Sequence, residues 1–350
     1  MSSIRVAFVL PSFASGGSER VLLTLAEGLD RARFSPEFVA FAAEGPLAAE
    51  RPADVPLQNL DRPRLRRALL PLIRHLRSRH PDAVISSLGY VNLALLASRP
   101  ALPLRTRILV REANTPSQSL VETPRPGATA LAYRLLYPSA DAVLCQHHKT
   151  LDEMASRFQV PEERLHFLPN PVDVARLRTA AAPPQRLPGP GRRFVTAGRL
   201  TRQKGFDRLI ALFGQDESDD HLLILGDGPA REALAALAGP RVTLHGHEPE
   251  PWPWMAGADA LLLPSRWEGL ANVALEALAC GTPVIATPES GGIAELAAAA
   301  PEGAVTIATW GEAFAKAMAA ARPGDGSCLL PQTYESAAVA DRLMAVLGEC

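Results

Sequence analysis

The strongest constraint on this chain is an alternation. Short apolar runs, among them IRVAFVL (4–10), PEFVAFA (36–42), AVISSL (83–88), TRILVRE (106–112) and AVLCQ (142–146), are separated by longer stretches with helical spacing. Past residue 192 the alternation starts again with RFVTAGR (193–199), HLLILGDG (221–228), ALLLPS (260–265) and PVIAT (283–287). Such runs, each followed by a helix, suit parallel sheets covered on both faces. The expected fold is therefore α/β, with two doubly wound Rossmann-like domains facing a cleft, the default place for a ligand. Between the two series lies AAAPPQRLPGPGRR (180–193), where Pro and Gly prevent a helix or a central strand. This predicts an N-terminal domain over 1–180, a linker over 181–192 and a C-terminal domain over 193–350, whose last helix is free to cross back.

Charge excludes one class of partner. The 36 Lys+Arg and 37 Asp+Glu nearly cancel; Met1–Asp173 holds 21 against 17 (+4), which leaves 15 against 20 (−5). Neither part is basic enough for a nucleic-acid partner. The four cysteines, Cys145, Cys280, Cys328 and Cys350, lack metal-ligand spacing, so neither a metal site nor a disulfide framework is expected. The apolar run at the N-terminus is too short for a signal sequence or a membrane span. The expected location is cytoplasmic. One segment, RPRLRRALLPLIRHLRSRH (62–80), carries seven arginines and no acid, with leucines at helical spacing. It fits a peripheral contact with an anionic membrane at its inner face, or a crossover helix with a solvated basic side.

Three glycine turns follow strands. In PSFASGGSERVLLTLAEGL (11–29), Gly16 and Gly17 open a helix; the residues alone fit a ligand approach or a plain turn with Ser18 as cap. In TAGRLTRQKGFDRLI (196–210), Arg199, Arg202 and Lys204 gather where a helix opens at Lys204 or Gly205. Cations there oppose the helix dipole unless an anion is bound, and a diphosphate would satisfy both. LILGDGPAREAL (223–234) reads as architecture. Lastly, SRWEGLANVALEALACGTPVIAT (265–287) places Glu268 and Glu276 eight positions apart in an apolar run without Lys or His between them. A helix from about 270 would put the N–H groups of Gly269, Leu270, Ala271 and Asn272 at its anion-binding end. Glu268 would then be placed to accept from sugar hydroxyls, and Glu276 from a ribose.

Taken in order, G-G-S-E-R, N-P-V-D (170–173), G-R-L-x-x-x-K-G-F-D, L-G-D-G-P and S-R-x-E-G-L-x-N-V-x-L-E-A-L-A-x-G-T-P-V-I-A-T resemble a retaining GT-B glycosyltransferase of family 4, or group 1, over nearly the whole chain. That resemblance implies transfer of a sugar from a nucleotide-sugar, UDP-linked, to a saccharide or lipid-linked saccharide acceptor, with no metal and no other cofactor. By position it makes Glu268, Arg199 and Lys204 catalytic, the two cations facing the diphosphate. It assigns Gly16, Gly17, His245, Gly246, Gly269, Leu270, Ala271, Asn272 and Glu276 to the donor, with His245-Gly246 near the nucleobase and Glu276 at the ribose. Many relatives carry a His near the acceptor where this chain has Ala113, in Glu-Ala-Asn-Thr. Arg111, Glu112 or Asn114 are the candidates to meet the acceptor instead. His147, His148 and Lys149 open a further helix, where a structural role fits. Two other functions are compatible with the same motifs: a non-hydrolysing UDP-sugar epimerase, and a catalytically silent nucleotide-sugar-binding protein.

Overall fold

The computed structural model describes all residues except 1–2, 15, 187, 216–217 and 349–350, and of residue 122 the backbone alone. Cys350 thus lies outside the described residues. The chain forms two compact units, Met1–Pro171 with Ser336–Cys350, and Val172–Glu335.

The first unit is built on β1 (Ile4–Leu10), β2 (Phe34–Ala40), β3 (Leu57–Asn59), β4 (Ala83–Ser86), β5 (Arg107–Glu112), β6 (Ala142–Cys145) and β7 (Leu165–Phe167). The second holds β8 (Arg193–Ala197), β9 (His221–Leu225), β10 (Val242–Gly246), β11 (Ala260–Leu263), β12 (Val284–Ala286) and β13 (Val305–Ile307). Strand orders are β3-β2-β1-β4-β5-β6-β7 and β10-β9-β8-β11-β12-β13, and every pairing is parallel. Both sheets are covered on two faces because alternate side chains feed different cores. In β1, Val6, Phe8 and Leu10 join one cluster while Ala7 and Val9 join another. In β11, Leu261 and Leu263 point one way and Ala260 and Leu262 the other. Each sheet reverses its order once, between β1 and β4 and between β8 and β11. In open α/β sheets that reversal leaves a crevice at the carboxyl ends of the strands, where ligands bind.

The Pro/Gly-rich stretch 181–192 is not the boundary. Val172, Leu177 and Ala181 are buried in the core of the second unit. Gln185 N donates to Pro253 O at 2.8 Å, and Arg186 bonds both oxygens of Asp259 at 2.9 and 2.8 Å. The proline-rich composition correctly excludes a strand or helix, but an irregular segment still folds onto a core when its few apolar groups and backbone donors find partners there. The last helix, Ser336–Gly348, belongs to the first unit. It buries Val339, Leu343, Val346 and Leu347 with Val21, Leu22 and Leu25 of the helix Gly17–Glu27. The chain leaves the first unit after Pro171 and returns at Ser336, and the adjoining residues Val172 and Glu335 form a parallel bridge.

Within 62–80, the helix is Leu65–Arg79. Its apolar stripe, Ala68, Leu72 and Leu76, is buried against the sheet with Val39 and Val84, while Arg64, Arg66, Arg67, Arg74, Arg77 and Arg79 are exposed. The apolar face that a membrane would need is already occupied by this protein's own core. Among the described residues, no helix is long and apolar enough to cross a membrane.

Candidate functional site

Lys204 and Glu268 come from the two strands that flank the reversal of the second sheet. After β8 the chain makes a single turn of 3-10 helix, Arg202–Lys204. Gly205 then adopts a left-handed conformation (φ 70°), and the α-helix begins only at Phe206. A side chain at Gly205 would place its first carbon 2.3 Å from Pro264 O, so this glycine lets the loop press on the end of β11. There Lys204 Nζ donates to Glu268 Oε1 at 2.6 Å, and Ser265 Oγ donates to the same oxygen at 2.9 Å. Glu268 is 5% exposed. A lone carboxylate at that depth would carry a large desolvation cost, and a cation with a hydroxyl offsets it. Its second oxygen, Oε2, makes no hydrogen bond with a described residue. Arg199 is exposed, and its guanidinium makes no hydrogen bond or ion pair with a described residue.

The two loops are laced together by residues that the motif reading passed over. Arg266 pairs in bidentate fashion with Asp207 (2.8 and 2.7 Å) and its N–H donates to Gln203 O (2.8 Å), while Gln203 Nε2 donates to Trp267 O (3.0 Å). From the other side, Gly292 N donates to Gly269 O at 2.7 Å and Leu270 bridges Gly291. Gly291 (φ 68°) has no room for a side chain, whose first carbon would sit 1.9 Å from Gly269 O. The only sequence signals for this lacing were the Asp in G-F-D, the S-R before Glu268 and the glycine pair at 291–292.

Two expectations about this segment change. The helix begins at Asn272, with Ala271 as its cap residue and no capping side chain. Gly269 and Leu270 therefore belong to the braced loop, not to a helix end; the apolar periodicity reached back too far because Leu270 is buried in the loop as well. Glu276, two turns nearer the carboxyl end, is half-buried. His245 and Gly246 end β10. The His245 imidazole lies 3.4 Å from Glu248 and 5.6 Å from the Trp254 ring, and Gly246 O accepts from Gly226 N at 2.6 Å.

In the first unit, Gly16 is the cap residue of the helix Gly17–Glu27, with ordinary extended dihedrals and no capping side chain, so Ser18 does not cap it. A side chain at Gly16 would meet the Glu19 carboxylate at 2.1 Å. Burial raises the Glu19 pKa above the usual carboxylate range.

Arg111 and Glu112, expected at the acceptor, lie inside the first unit at 1% and 4% exposure. Arg111 donates to Ser87 Oγ (3.1 Å) and to Asn170 Oδ1. Glu112 Oε1 accepts from the Tyr137 hydroxyl and from Asn92 Nδ2 (3.2 Å), and the Tyr133 hydroxyl approaches both oxygens at 3.5 and 3.4 Å. Burial raises the Glu112 pKa to about 7 despite these donors, and burial lowers that of Arg111 to about 10. The side chains turn inward because β5 is a central strand flanked by β4 and β6, so its last residues still face the two covering layers. Of the three acceptor candidates only Asn114 is partly exposed, beside half-buried Ala113. His147 caps the helix His148–Ser156, accepting from Thr150 N at 3.3 Å, and His148 stacks on Phe167.

Comparison with known proteins matches both units. The family profile for glycosyltransferase family 4 covers residues 15–176, and that for glycosyl transferases group 1 covers 191–321. A Campylobacter jejuni protein is 26% identical over 83% of each chain; it is named N-acetylgalactosamine-N,N'-diacetylbacillosaminyl-diphospho-undecaprenol 4-alpha-N-acetylgalactosaminyltransferase. A D-inositol 3-phosphate glycosyltransferase of Xylanimonas cellulosilytica is 27% identical over 49% of this chain and 46% of its own. Among solved structures, the lipopolysaccharide outer core galactosyltransferase WaaB superposes with TM-score 0.68 at 18% identity, covering 99% of both chains. Anabaena HepE in complex with UDP and glucose gives 0.69 at 17%, covering 99% and 95%. These two structures speak to the fold, which is GT-B. With the two family profiles matched in order, one on each unit, the chain belongs to the group 1, family 4 glycosyltransferases and is a glycosyltransferase enzyme.

Proposed function

We propose that the protein moves a sugar, with retention at the anomeric carbon, from a UDP-linked donor to a saccharide or lipid-linked saccharide acceptor in polysaccharide or glycolipid biosynthesis. The observation that carries this reading is the Lys204–Glu268 pair at the order reversal of the second sheet, with one carboxylate oxygen that bonds no described residue. An ammonium has three donors, and Glu268 takes one of those on Lys204, so two remain for diphosphate oxygens. Arg199, on the same loop, adds a second cation. Glu268 Oε2 is an acceptor for a hydroxyl of the donor sugar, and Glu276, His245 and Gly246 serve the ribose and base. Support for a UDP donor comes from the HepE complexes with UDP and UDP-glucose, and for a lipid-linked acceptor from the name of the Campylobacter relative.

The chemistry is charge management. As the bond from the sugar C1 to oxygen breaks with oxocarbenium character, negative charge grows on the diphosphate, and Lys204 and Arg199 stabilise it in place. No metal is needed in this reading, since the two cations fill that role. The leaving phosphate oxygen takes the acceptor proton on the same face, which dispenses with a protein base at the Ala113 position. Any contact with an anionic membrane through 62–80 is chiefly electrostatic, because the apolar stripe Ala68, Leu72 and Leu76 is buried and Leu70 is the one leucine left exposed.

A panel of UDP- and GDP-sugars tests the proposal, read by nucleotide release, thermal shift and NMR of the anomeric product. Release of UDP with an α-configured product from an α-donor is the expected result. An isomerised free donor would make the protein an epimerase, and a thermal shift without turnover would make it a binding protein.

A further inference from the structure

We infer that Ser265 is a positioning residue that fixes which oxygen of Glu268 faces the donor sugar. The inference rests on the donor-site reading of Glu268 given above. The terminal torsion of a glutamate is soft and nearly two-fold, so nothing intrinsic to the side chain selects one oxygen over the other. Here the selection is made from outside. Oε1 receives Lys204 Nζ from the loop after β8 and Ser265 Oγ from the loop after β11, while Oε2 bonds no described residue.

The two donors differ in kind. Lys204 sits on a flexible four-carbon stem, and its remaining protons are assigned to the diphosphate, so its position follows the ligand. Ser265 is 0% exposed and its main chain is anchored: Thr287 Oγ1 donates to Ser265 O at 2.8 Å, and Ser290 Oγ lies 3.2 Å from Thr287 Oγ1 and 3.3 Å from Leu263 O. The hydroxyl is also neutral, with one proton committed to Oε1, so a diphosphate does not compete for it. Ser265 therefore keeps Oε1 turned inward while Lys204 engages phosphate, and Oε2 stays aimed at the sugar. Replacing Ser265 leaves the bidentate Arg266–Asp207 pair in place, so the spacing of the loops does not depend on it.

A double-mutant cycle tests this, with two probes: UDP alone, and whichever nucleotide-sugar of the panel the wild-type enzyme hydrolyses fastest. Ser265→Ala is expected to lower kcat/KM for the nucleotide-sugar about tenfold, the size of one lost hydrogen bond to a charged group. Its affinity for UDP, which lacks the sugar, is expected to stay within about twofold of wild type. In a Glu268→Ala background the same substitution is expected to change kcat/KM by less than about twofold, since a residue that acts through Glu268 has nothing left to orient. Ser265→Cys, close in size and a weaker donor, should fall between wild type and Ser265→Ala, and it serves if the alanine variant folds poorly. An equal loss in both backgrounds, or a matching loss of UDP affinity, overturns the inference and makes Ser265 a packing residue. If Glu268→Ala itself leaves kcat/KM unchanged, the donor-site reading fails, and this inference fails with it.

Discussion

Two carboxyl groups stand at the carboxyl ends of the two parallel sheets, and they meet different fates. Glu268, after β11, is bonded by a cation and one hydroxyl on a single oxygen, and the other oxygen bonds no described residue. Glu112, at the end of β5, is enclosed by two tyrosine hydroxyls and an asparagine amide. Its neighbour Arg111 turns away to Ser87 and Asn170. The lesson is in the enclosure. The neutral donors around Glu112 favour its charged form, yet burial outweighs them and raises its pKa to about 7, and a carboxyl so enclosed braces a fold. A cation beside a carboxylate with a spare oxygen keeps charge ready at a place a ligand can use.

The widest break of that comparison is at Lys204. Lys204→Ala should lower turnover by roughly 10²–10³-fold, in the range for losing one group that stabilises transition-state charge. Circular dichroism is expected to show the fold retained, since the loop keeps the Arg266–Asp207 and Gln203–Trp267 links, while the melting temperature falls because buried Glu268 loses its cation. Near-normal turnover would remove the phosphate role from this lysine.

Next in size is Glu112→Gln, which tests whether the enclosed carboxyl is architecture. Its folded pKa, about 7, lies above the ordinary carboxyl value of 4.5, so unfolding between those pH values releases a proton. The contribution of Glu112 to stability is thus fully present below about pH 4.5 and is lost as pH rises through 7. The glutamine variant has no proton to lose. Its stability relative to wild type should rise between pH 5 and 8, by an amount on the order of 3 kcal/mol at most. Denaturant melts at the two pH values measure it. Turnover at pH 7 is expected to stay within about twofold of wild type, as for an enclosed side chain whose partners all lie within its own unit; a large loss would return Glu112 to the acceptor side.

A smaller effect is expected at the clamp. Asp207→Asn breaks one bidentate pair, but the pair is partly exposed and the loops keep the Arg266 N–H to Gln203 and Gln203 to Trp267 bonds. Partly exposed pairs contribute little, so turnover should fall only about threefold, with kcat more affected than the affinity for UDP. A loss as large as that of Lys204→Ala would show that the clamp, and not the lysine alone, sets the position of the charge.

These outcomes bear on what the sequence can disclose. The two parallel sheets were legible because strand-length apolar runs recur at regular intervals, and that pattern has few other solutions. Lys204 and Glu268 were legible because a cation at a helix start and an acid in an apolar run each lack a local reason. Their direct bond was not, because sixty-four residues separate them and only the strand order puts β8 beside β11. Ser265 and Arg266 looked like ordinary loop residues until their partners were located. Arg111 and Glu112 misled for the opposite reason. Charge at a strand end suggests solvent, and the tyrosines and asparagine that enclose this pair come from helices earlier and later in the chain.

The smallest expected effect concerns membranes, where two helices of the first unit can be set against each other. Leu65–Arg79 shows solvent a basic face with a single exposed leucine, Leu70 (64%), and keeps Ala68, Leu72 and Leu76 inside. Pro126–Leu136 does the reverse: Leu131 (56%) and Leu135 (68%) are exposed, one turn apart, beside exposed Arg134. Attraction through the first helix is chiefly charge, about 1 kcal/mol per arginine near an anionic surface, and it fades within a Debye length of about 8 Å at 0.15 M salt. Sedimentation with vesicles rich in phosphatidylglycerol should therefore show weak binding at low salt that disappears near 0.5 M. Arg66→Ala with Arg67→Ala should weaken it further. Binding that survives high salt, and is lost on Leu131→Ser with Leu135→Ser, would transfer the contact from the basic helix to the apolar one.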